Sequence, residues 1–148
     1  MKVIVCGAGQ VGYDIARQLS GEENDVTVID HDTERIRKVS ESLDVQTFQG
    51  FASYPDILDR AGAENADMLI AVTLSDEINM VSCQVAHTLF NVPTKMARVR
   101  HNAYLEPSWR HLFSRDHMPI DVIISPEKEV VAAIDRLLEA PGAIDVIG

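Results

Sequence analysis

The chain alternates short runs of apolar, often β-branched residues with longer stretches in which apolar positions recur every three to four residues. The first pattern predicts buried strands and the second predicts amphipathic helices. Strands are predicted at Lys2–Cys6, Val26–Asp30, Val45–Gln49, Met68–Thr73, Met96–Arg100 and Val122–Ser125. Strands that alternate with helical crossovers are typical of a parallel sheet. We therefore expect an α/β fold, a doubly wound parallel sheet of six strands in the order 3-2-1-4-5-6 with helices on both faces.

Helix-start and helix-stop signals fit this alternation. Asp32 and Ser75 carry side chains that cap helix N-termini, and each precedes a stretch of helical periodicity. A last helix is expected to begin at 125–127 and to end at Pro141-Gly142. We expect residues 1–140 to form one domain, and residues 141–148, which resume a strand-like apolar pattern, to begin a linker or strand toward a C-terminal domain.

A glycine-rich segment joins the first predicted strand to the first predicted helix. It reads Gly7-Ala8-Gly9-Gln10-Val11-Gly12, the GxGxxG pattern of Rossmann-like folds that bind dinucleotides. In that pattern the first glycine permits a tight turn, the second lets the backbone approach a pyrophosphate, and the third lets the helix pack close to the strand. The N–H groups at the positive end of the helix would then attract the phosphates.

An acidic residue ends the second predicted strand. Asp30 follows Gly7 by 23 residues, close to the roughly 20 at which an acid binds the ribose in this fold. The segment and the acid together predict a dinucleotide site. The alternative is a glycine-rich turn in an α/β domain whose site binds no ligand.

Composition excludes several classes of protein. The net charge of −10 argues against binding to nucleic acid or to an anionic membrane surface. No apolar run approaches the roughly 20 residues of a transmembrane helix. Cys6 and Cys83 lie in apolar periodic segments, where reduced, packed thiols are expected, so we expect a cytoplasmic protein.

One stretch departs from the acidic character of the chain. Residues 95–118 carry five basic and two acidic side chains, and four of the basic ones are Arg98, Arg100, Arg110 and Arg115. These arginines form an ordinary solvated patch, or part of them faces bound phosphates or an acidic partner surface. Both alternatives stay open at this point.

Signatures of catalysis are missing from the sequence. It has no Tyr-x-x-x-Lys and no Gly-x-Ser-x-Gly, and His101, His111 and His117 do not have the spacing of metal ligands. We therefore expect a domain that binds a nucleotide and reports it, without catalytic residues and without a metal. The enzyme alternative is a fragment of an NAD-dependent oxidoreductase that lacks its substrate domain.

Longer segments resemble one family. GAGQVG and VID are followed by DMLIAVTLSDEINMVSCQVAHTLF, KMARVRHNAYL and IDVIISPEKEVVAAIDRLL. Together they resemble the N-terminal nucleotide-binding domain of the TrkA family, within the wider RCK/KTN group. The resemblance implies a noncatalytic, NAD(H)-binding regulatory domain that controls a membrane potassium uptake channel or transporter of the Trk type, with ATP or ADP as other possible ligands. It also implies homodimers or larger rings, peripheral at the inner face of the plasma membrane.

The resemblance also implies roles for individual residues. The phosphate loop would be Gly7, Ala8, Gly9, Gln10 and Val11, with Asp30 on the ribose, Thr73 and Leu74 lining the crevice, and Arg98 reaching phosphate or the second nucleoside.

Three positions bear on which nucleotide binds. Gln10 is neutral where ATP-binding relatives often carry arginine, which favours a dinucleotide. Asp30 should repel a 2′-phosphate and so disfavour NADP. Phe51 stands where relatives often carry Asp or Asn, so a polar contact is lost, although the ring could pack against adenine. The choice between NAD+ and NADH stays open.

Overall fold

A computed structural model describes residues 1–124 and the strand at 145–147. The strands are β1 (Lys2–Cys6), β2 (Asp25–Asp30), β3 (Gln46–Gln49), β4 (Met68–Ala71), β5 (Thr94–Arg98), β6 (Val122–Ile124) and β7 (Asp145–Ile147). The helices are α1 (Gln10–Gly21), α2 (Thr33–Ser42), α3 (Pro55–Arg60) and α4 (Asp76–Phe90), with 3₁₀ turns at Ala63–Asn65, Asn102–Leu105 and Pro107–Leu112. The last helix predicted from residue 125 to Pro141-Gly142 lies outside the described residues.

All strand pairs in the sheet are parallel, in the order β3-β2-β1-β4-β5-β6-β7. The six predicted strands therefore take the predicted order. Residues 145–147 extend the sheet with a seventh strand that pairs with β6, so the strand-like pattern near the end of the chain joins this same sheet. The order reverses between β1 and β4, which is where open sheets of this kind place their ligands.

Two hydrophobic layers form the core, one on each face of the sheet. Alternate residues of β1 enter different layers: Val3 and Val5 pack with α1 and α2, while Ile4 and Cys6 pack with α3 and α4. All four are fully buried because helices cover both faces. Burial raises the pKa of the Cys83 thiol to about 12, and both cysteines are free. They are packing residues, not reactive thiols.

Local signals start the helices where they were predicted. The Asp32 carboxylate accepts from the N–H groups of Glu34 and Arg35, and the Ser75 hydroxyl accepts from the N–H of Ile78. Each bond satisfies a donor that the first turn of a helix leaves unpaired. None of the helices in the described part of the chain is both long enough and apolar enough to cross a membrane.

Two strands, β4 and β5, differ from the prediction by two residues, and the starts of β2 and β3 differ by one. β5 was expected at Met96–Arg100 and lies two residues earlier, because its register with β4 begins at Met68 and Thr94. The N–H of Arg100 bonds to the Asp76 carboxylate at 2.9 Å instead of extending a strand. β4 ends at Ala71, before the predicted Thr73, because the Thr73 N–H donates to a side chain of α4.

Candidate functional site

A pocket of about 310 Å³ opens at the carboxyl ends of β1, β2, β4 and β5, where the strand order reverses. Eight of the nine predicted site residues line it: Gly7, Gly9, Gln10, Val11, Asp30, Thr73, Leu74 and Arg98. The ninth, Ala8, is buried behind them and donates its N–H to Asp30. Segments separated by up to 91 positions in sequence thus meet in one cavity, as expected for the ends of parallel strands.

The glycine turn brings β1, β4 and α1 into close contact. Gly7 has φ of +109°, and a Cβ at this position would lie 3.0 Å from the backbone of Val72 and Thr73. A Cβ on Gly12 would lie 1.8 Å from the carbonyl oxygen of Gly7. Both positions therefore require glycine for the fold itself.

The N-terminus of α1 faces the same pocket. Gly9 occupies the N-cap position, has φ of −70° and carries no side chain that could accept from the first N–H groups. The first turn contains no acidic residue. Apart from Gly9 itself and its two neighbours in the chain, no described heavy atom lies within 4 Å of the position that a Cβ on Gly9 would take. This leaves the helix N-terminus suited to an anion, and space beside it.

Asp30 anchors the glycine turn as well as facing the pocket. One carboxylate oxygen accepts from the N–H of Ala8 at 2.7 Å, and the other accepts from the N–H of Asp32 at 2.8 Å. The side chain is 4% exposed, and the Arg35 guanidinium lies 3.9 Å away. A carboxylate has about four acceptor sites, so two N–H bonds leave it able to accept from hydroxyl groups of a ligand.

Aromatic rings form one edge of the pocket. The Phe51 and His31 rings stack with centroids 4.8 Å apart and planes within 8° of each other. The Tyr54 ring packs against the Phe51 ring, with centroids 5.4 Å apart. Phe51 is 38% exposed, so this edge presents planar apolar surface.

The opposite wall is formed by the residues that follow β4. The Thr73 side chain and backbone bond to Asn79, a fully buried residue of α4. Arg98, which is 5% exposed, donates to the carbonyl oxygens of Val72 and Thr73 at 2.8 and 2.7 Å. Its guanidinium thus lies in the floor of the pocket, while Leu74 is 70% exposed at the rim.

The arginines of the basic stretch do not form one patch. Arg98 lines the pocket, whereas Arg115 binds the carbonyl of Pro93 and the carboxylate of Asp121 near the start of β5, at the other end of the sheet. Arg100 and Arg110 are exposed. Among the described residues, no group of three or more histidine, cysteine or acidic side chains is placed to hold a metal ion.

Several lining residues were not predicted: Ile29, His31, Arg35, Gly50, Ala52, Val72, Ser75 and Ile78. His31 and Arg35 had a local signal, since they follow Asp30 into the turn and first helical turn beyond β2. The sequence signal for Asn79, which lies behind the wall, was weaker: it is a polar residue among the apolar positions of α4 that face the sheet.

Comparison with known proteins identifies relatives of this domain. The TrkA of Azorhizobium caulinodans, described as a Trk system potassium uptake protein, is 58% identical over 99% of this chain and 32% of its own length. A protein of the same description from Halomonas elongata is 55% identical over the same shares. The chain therefore spans about a third of the length of these curated relatives.

Solved structures share the fold. The TrkA-N domain of inner membrane protein ybaL from Escherichia coli has a TM-score of 0.72 at 18% identity, over 93% of this chain and 96% of that one. The Shewanella denitrificans Kef CTD in AMP-bound form has a TM-score of 0.64 at 20% identity, over 96% of this chain and 83% of that one. The GsuK channel bound to NAD has a TM-score of 0.68 at 15% identity, over 84% of this chain and 21% of that one. The family model of the TrkA-N domain matches residues 3–126, and on that match the chain belongs to the TrkA-N domain family.

Proposed function

We propose that this domain binds NAD+ or NADH in the pocket and that binding regulates a membrane potassium uptake system. The observation that carries the proposal is the α1 N-terminus, which has no acid in its first turn and open space at Gly9, beside a buried carboxylate that keeps acceptor sites free. A pyrophosphate bound at the α1 N-terminus and a ribose bound to the Asp30 carboxylate account for both features.

The two ends of the ligand follow from this placement. With the adenosine ribose on Asp30, the adenine lies toward Phe51, whose ring offers a face for stacking. The second nucleoside extends toward Thr73, Leu74 and Arg98, the wall on the other side of the switch point. Phe51 thus supplies apolar contact where relatives often place a polar residue.

The choice of nucleotide rests on charge. Gln10 is neutral, which favours a dinucleotide over a ligand with a terminal phosphate, and Asp30 disfavours a 2′-phosphate. The NAD-bound GsuK channel shares this fold. ATP or ADP is the second candidate, favoured by the cations Arg35 and Arg98 in the pocket and by the AMP-bound Kef domain of the same fold.

A regulatory role without turnover fits the chain better than catalysis. The pocket brings the glycine turn and the Asp30 carboxylate together, and the two relatives quoted above 50% identity are described as potassium uptake proteins. The enzyme alternative, a fragment of an NAD-dependent oxidoreductase, would show oxidation of NADH by the pure protein.

The remaining parts of the proposal concern assembly. The nucleotide-binding domain comprises residues 1–140 together with the strand at 145–147, which pairs with β6 of its sheet. The protein forms homodimers or larger rings and lies in the cytoplasm, peripheral at the inner face of the plasma membrane. There its partner is a potassium channel or transporter of the Trk type. A ligand that contacts both sides of the switch point acts by its differential affinity for two arrangements of those sides.

Calorimetry with NAD+, NADH, NADPH, ATP and ADP tests the ligand. We expect NAD+ or NADH to bind with higher affinity than NADPH. Asp30→Ala should lower that affinity about tenfold or more, because each charge-assisted hydrogen bond is worth roughly 1.5–3 kcal/mol. Since Asp30 also anchors Ala8 and Asp32, 2′-deoxy-NAD+ separates the two roles. The wild-type protein should bind NAD+ more tightly than this analogue, and Asp30→Ala should bind the two equally. If Asp30→Ala kept the wild-type preference for NAD+, the ribose would not lie on Asp30.

Potassium uptake tests the regulation. In cells whose Trk-type transporter depends on a protein that carries this domain, we expect uptake to change when the cellular NAD(H) pool changes. The response should vanish in Asp30→Ala while the protein level stays constant. Uptake that ignores the nucleotide pool in the wild type would contradict the proposed regulation.

A further inference from the structure

Asn79 lies behind the pocket wall and saturates its hydrogen bonds there. Its side-chain oxygen accepts from the Thr73 N–H at 2.9 Å and from the Thr73 hydroxyl at 2.7 Å. Its amide nitrogen donates to the carbonyls of Thr73 at 3.2 Å and of Arg98 at 2.9 Å. A carboxamide offers two donors and about two acceptor sites, so each is used.

The orientation of this amide is determined by its partners. The Thr73 N–H can only donate, so the side-chain oxygen must face it. The Arg98 carbonyl can only accept, so the nitrogen must face that side. Asn79 is fully buried, and an aspartate there would place one carboxylate oxygen, in the position of the amide nitrogen, against the carbonyl oxygens of Thr73 and Arg98.

A neighbouring residue of α4 binds the chain beyond β5. The Asp76 carboxylate, on the first residue of the helix, accepts from the N–H groups of Arg100 at 2.9 Å and of His101 at 2.8 Å. Asn79 and Asp76 therefore bind the loop after β4 and the chain beyond β5 to one helix. Neither residue is among those that line the pocket.

We propose that Asn79 is a positioning residue, which holds the Thr73–Leu74 wall and so sets the affinity for the second nucleoside of a dinucleotide without touching it. The inference rests on the proposed function. The adenosine end is held by Gly7–Val11 and Asp30, which have no hydrogen bond to Asn79 among the described contacts. Loss of the Asn79 hydrogen bonds should therefore weaken binding of the second nucleoside and leave binding of the adenosine end unchanged.

Comparing NAD+ with AMP tests this asymmetry, since AMP lacks the second nucleoside. In wild type we expect NAD+ to bind more tightly than AMP. In Asn79→Asp, affinity for NAD+ should fall about tenfold or more toward that of AMP, while affinity for AMP changes less than about twofold. Ser82→Ala is the matched control: Ser82 is a fully buried residue of α4 that bonds to the carbonyl of Ile78. It should keep the wild-type ratio of the two affinities.

If Asn79→Asp does not fold, Asn79→Ala gives the same test, because it removes the same four hydrogen bonds without placing a charge in the core. An equal fall in both affinities would show that Asn79 acts on general stability and would overturn the proposal. An unchanged NAD+ affinity would overturn it while the proposed function stands. A wild-type protein that binds neither NAD+ nor AMP would overturn both.

Discussion

Gly12→Ala is expected to destabilise the domain by about 3 kcal/mol or more, at the upper end of the costs of overpacking. The added Cβ would lie 1.8 Å from the carbonyl oxygen of Gly7, so α1 must move away from the glycine turn. Alanine favours helix over glycine by only about 1 kcal/mol, which does not offset this clash. Urea unfolding followed by circular dichroism measures the loss as a lower midpoint.

Gly21→Ala is the matched control for that experiment. Gly21 is the last residue of the same helix, and outside its chain neighbours and the helix backbone no described heavy atom lies within 4 Å of its added Cβ. The free energy of unfolding of Gly21→Ala should differ from that of the wild type by less than about 1 kcal/mol. If Gly12→Ala unfolded at the same urea concentration as Gly21→Ala, the close approach of α1 to the glycine turn would be wrong.

Gly9→Ala is expected to remove nucleotide binding while the fold survives. Its φ of −70° suits any residue, and its Cβ would meet no described atom, so the cost to stability should stay below about 1 kcal/mol. The methyl group would occupy the space that a pyrophosphate needs beside the helix N-terminus. We expect affinity for NAD+ or NADH to fall about tenfold or more, measured by calorimetry with thermal unfolding as the stability check.

Two results would contradict this expectation. Wild-type affinity in Gly9→Ala would mean that the phosphates do not lie against Gly9. A large loss of stability would mean that Gly9 serves packing, as Gly7 and Gly12 do. Gly21→Ala should leave affinity unchanged. Comparison of Gly9→Ala with Gly12→Ala then separates two glycines of one motif, one by its effect on binding and the other by its effect on the fold.

The order of the strands follows from sequence because local patterns and general rules suffice for it. Apolar runs mark the buried strands, helical periods mark the crossovers, and parallel crossovers admit few arrangements. The same patterns misplaced the ends of β4 and β5, where side chains of α4 take over the backbone N–H groups of Thr73 and Arg100. The end of a strand depends on which acceptor the next backbone N–H group meets in the folded chain, and here that acceptor lies on another element, 6 residues from Thr73 and 24 from Arg100.

Lys95 shows how little a local pattern reveals about buried polar groups. It lies in the predicted basic stretch, yet it is fully buried, with its ammonium 2.7 Å from the Val92 carbonyl and 3.4 Å from the Asp121 carboxylate. Burial lowers its pKa, and Asp121 opposes that shift. Only a fold that brings residue 121 beside residue 95 can make such a lysine tolerable.

Sequence alone determined the α/β class, the strand order and about half of the pocket lining, because glycines and an acid at strand ends act through their own backbone and charge. Tertiary structure alone decided how these groups are held: Asp30 bound to Ala8 and Asp32, Phe51 stacked on His31, and Asn79 joining Thr73 to Arg98. Hydrogen bonds and ring contacts depend on distances of a few ångströms between particular atoms, and no spacing along the sequence specifies these distances.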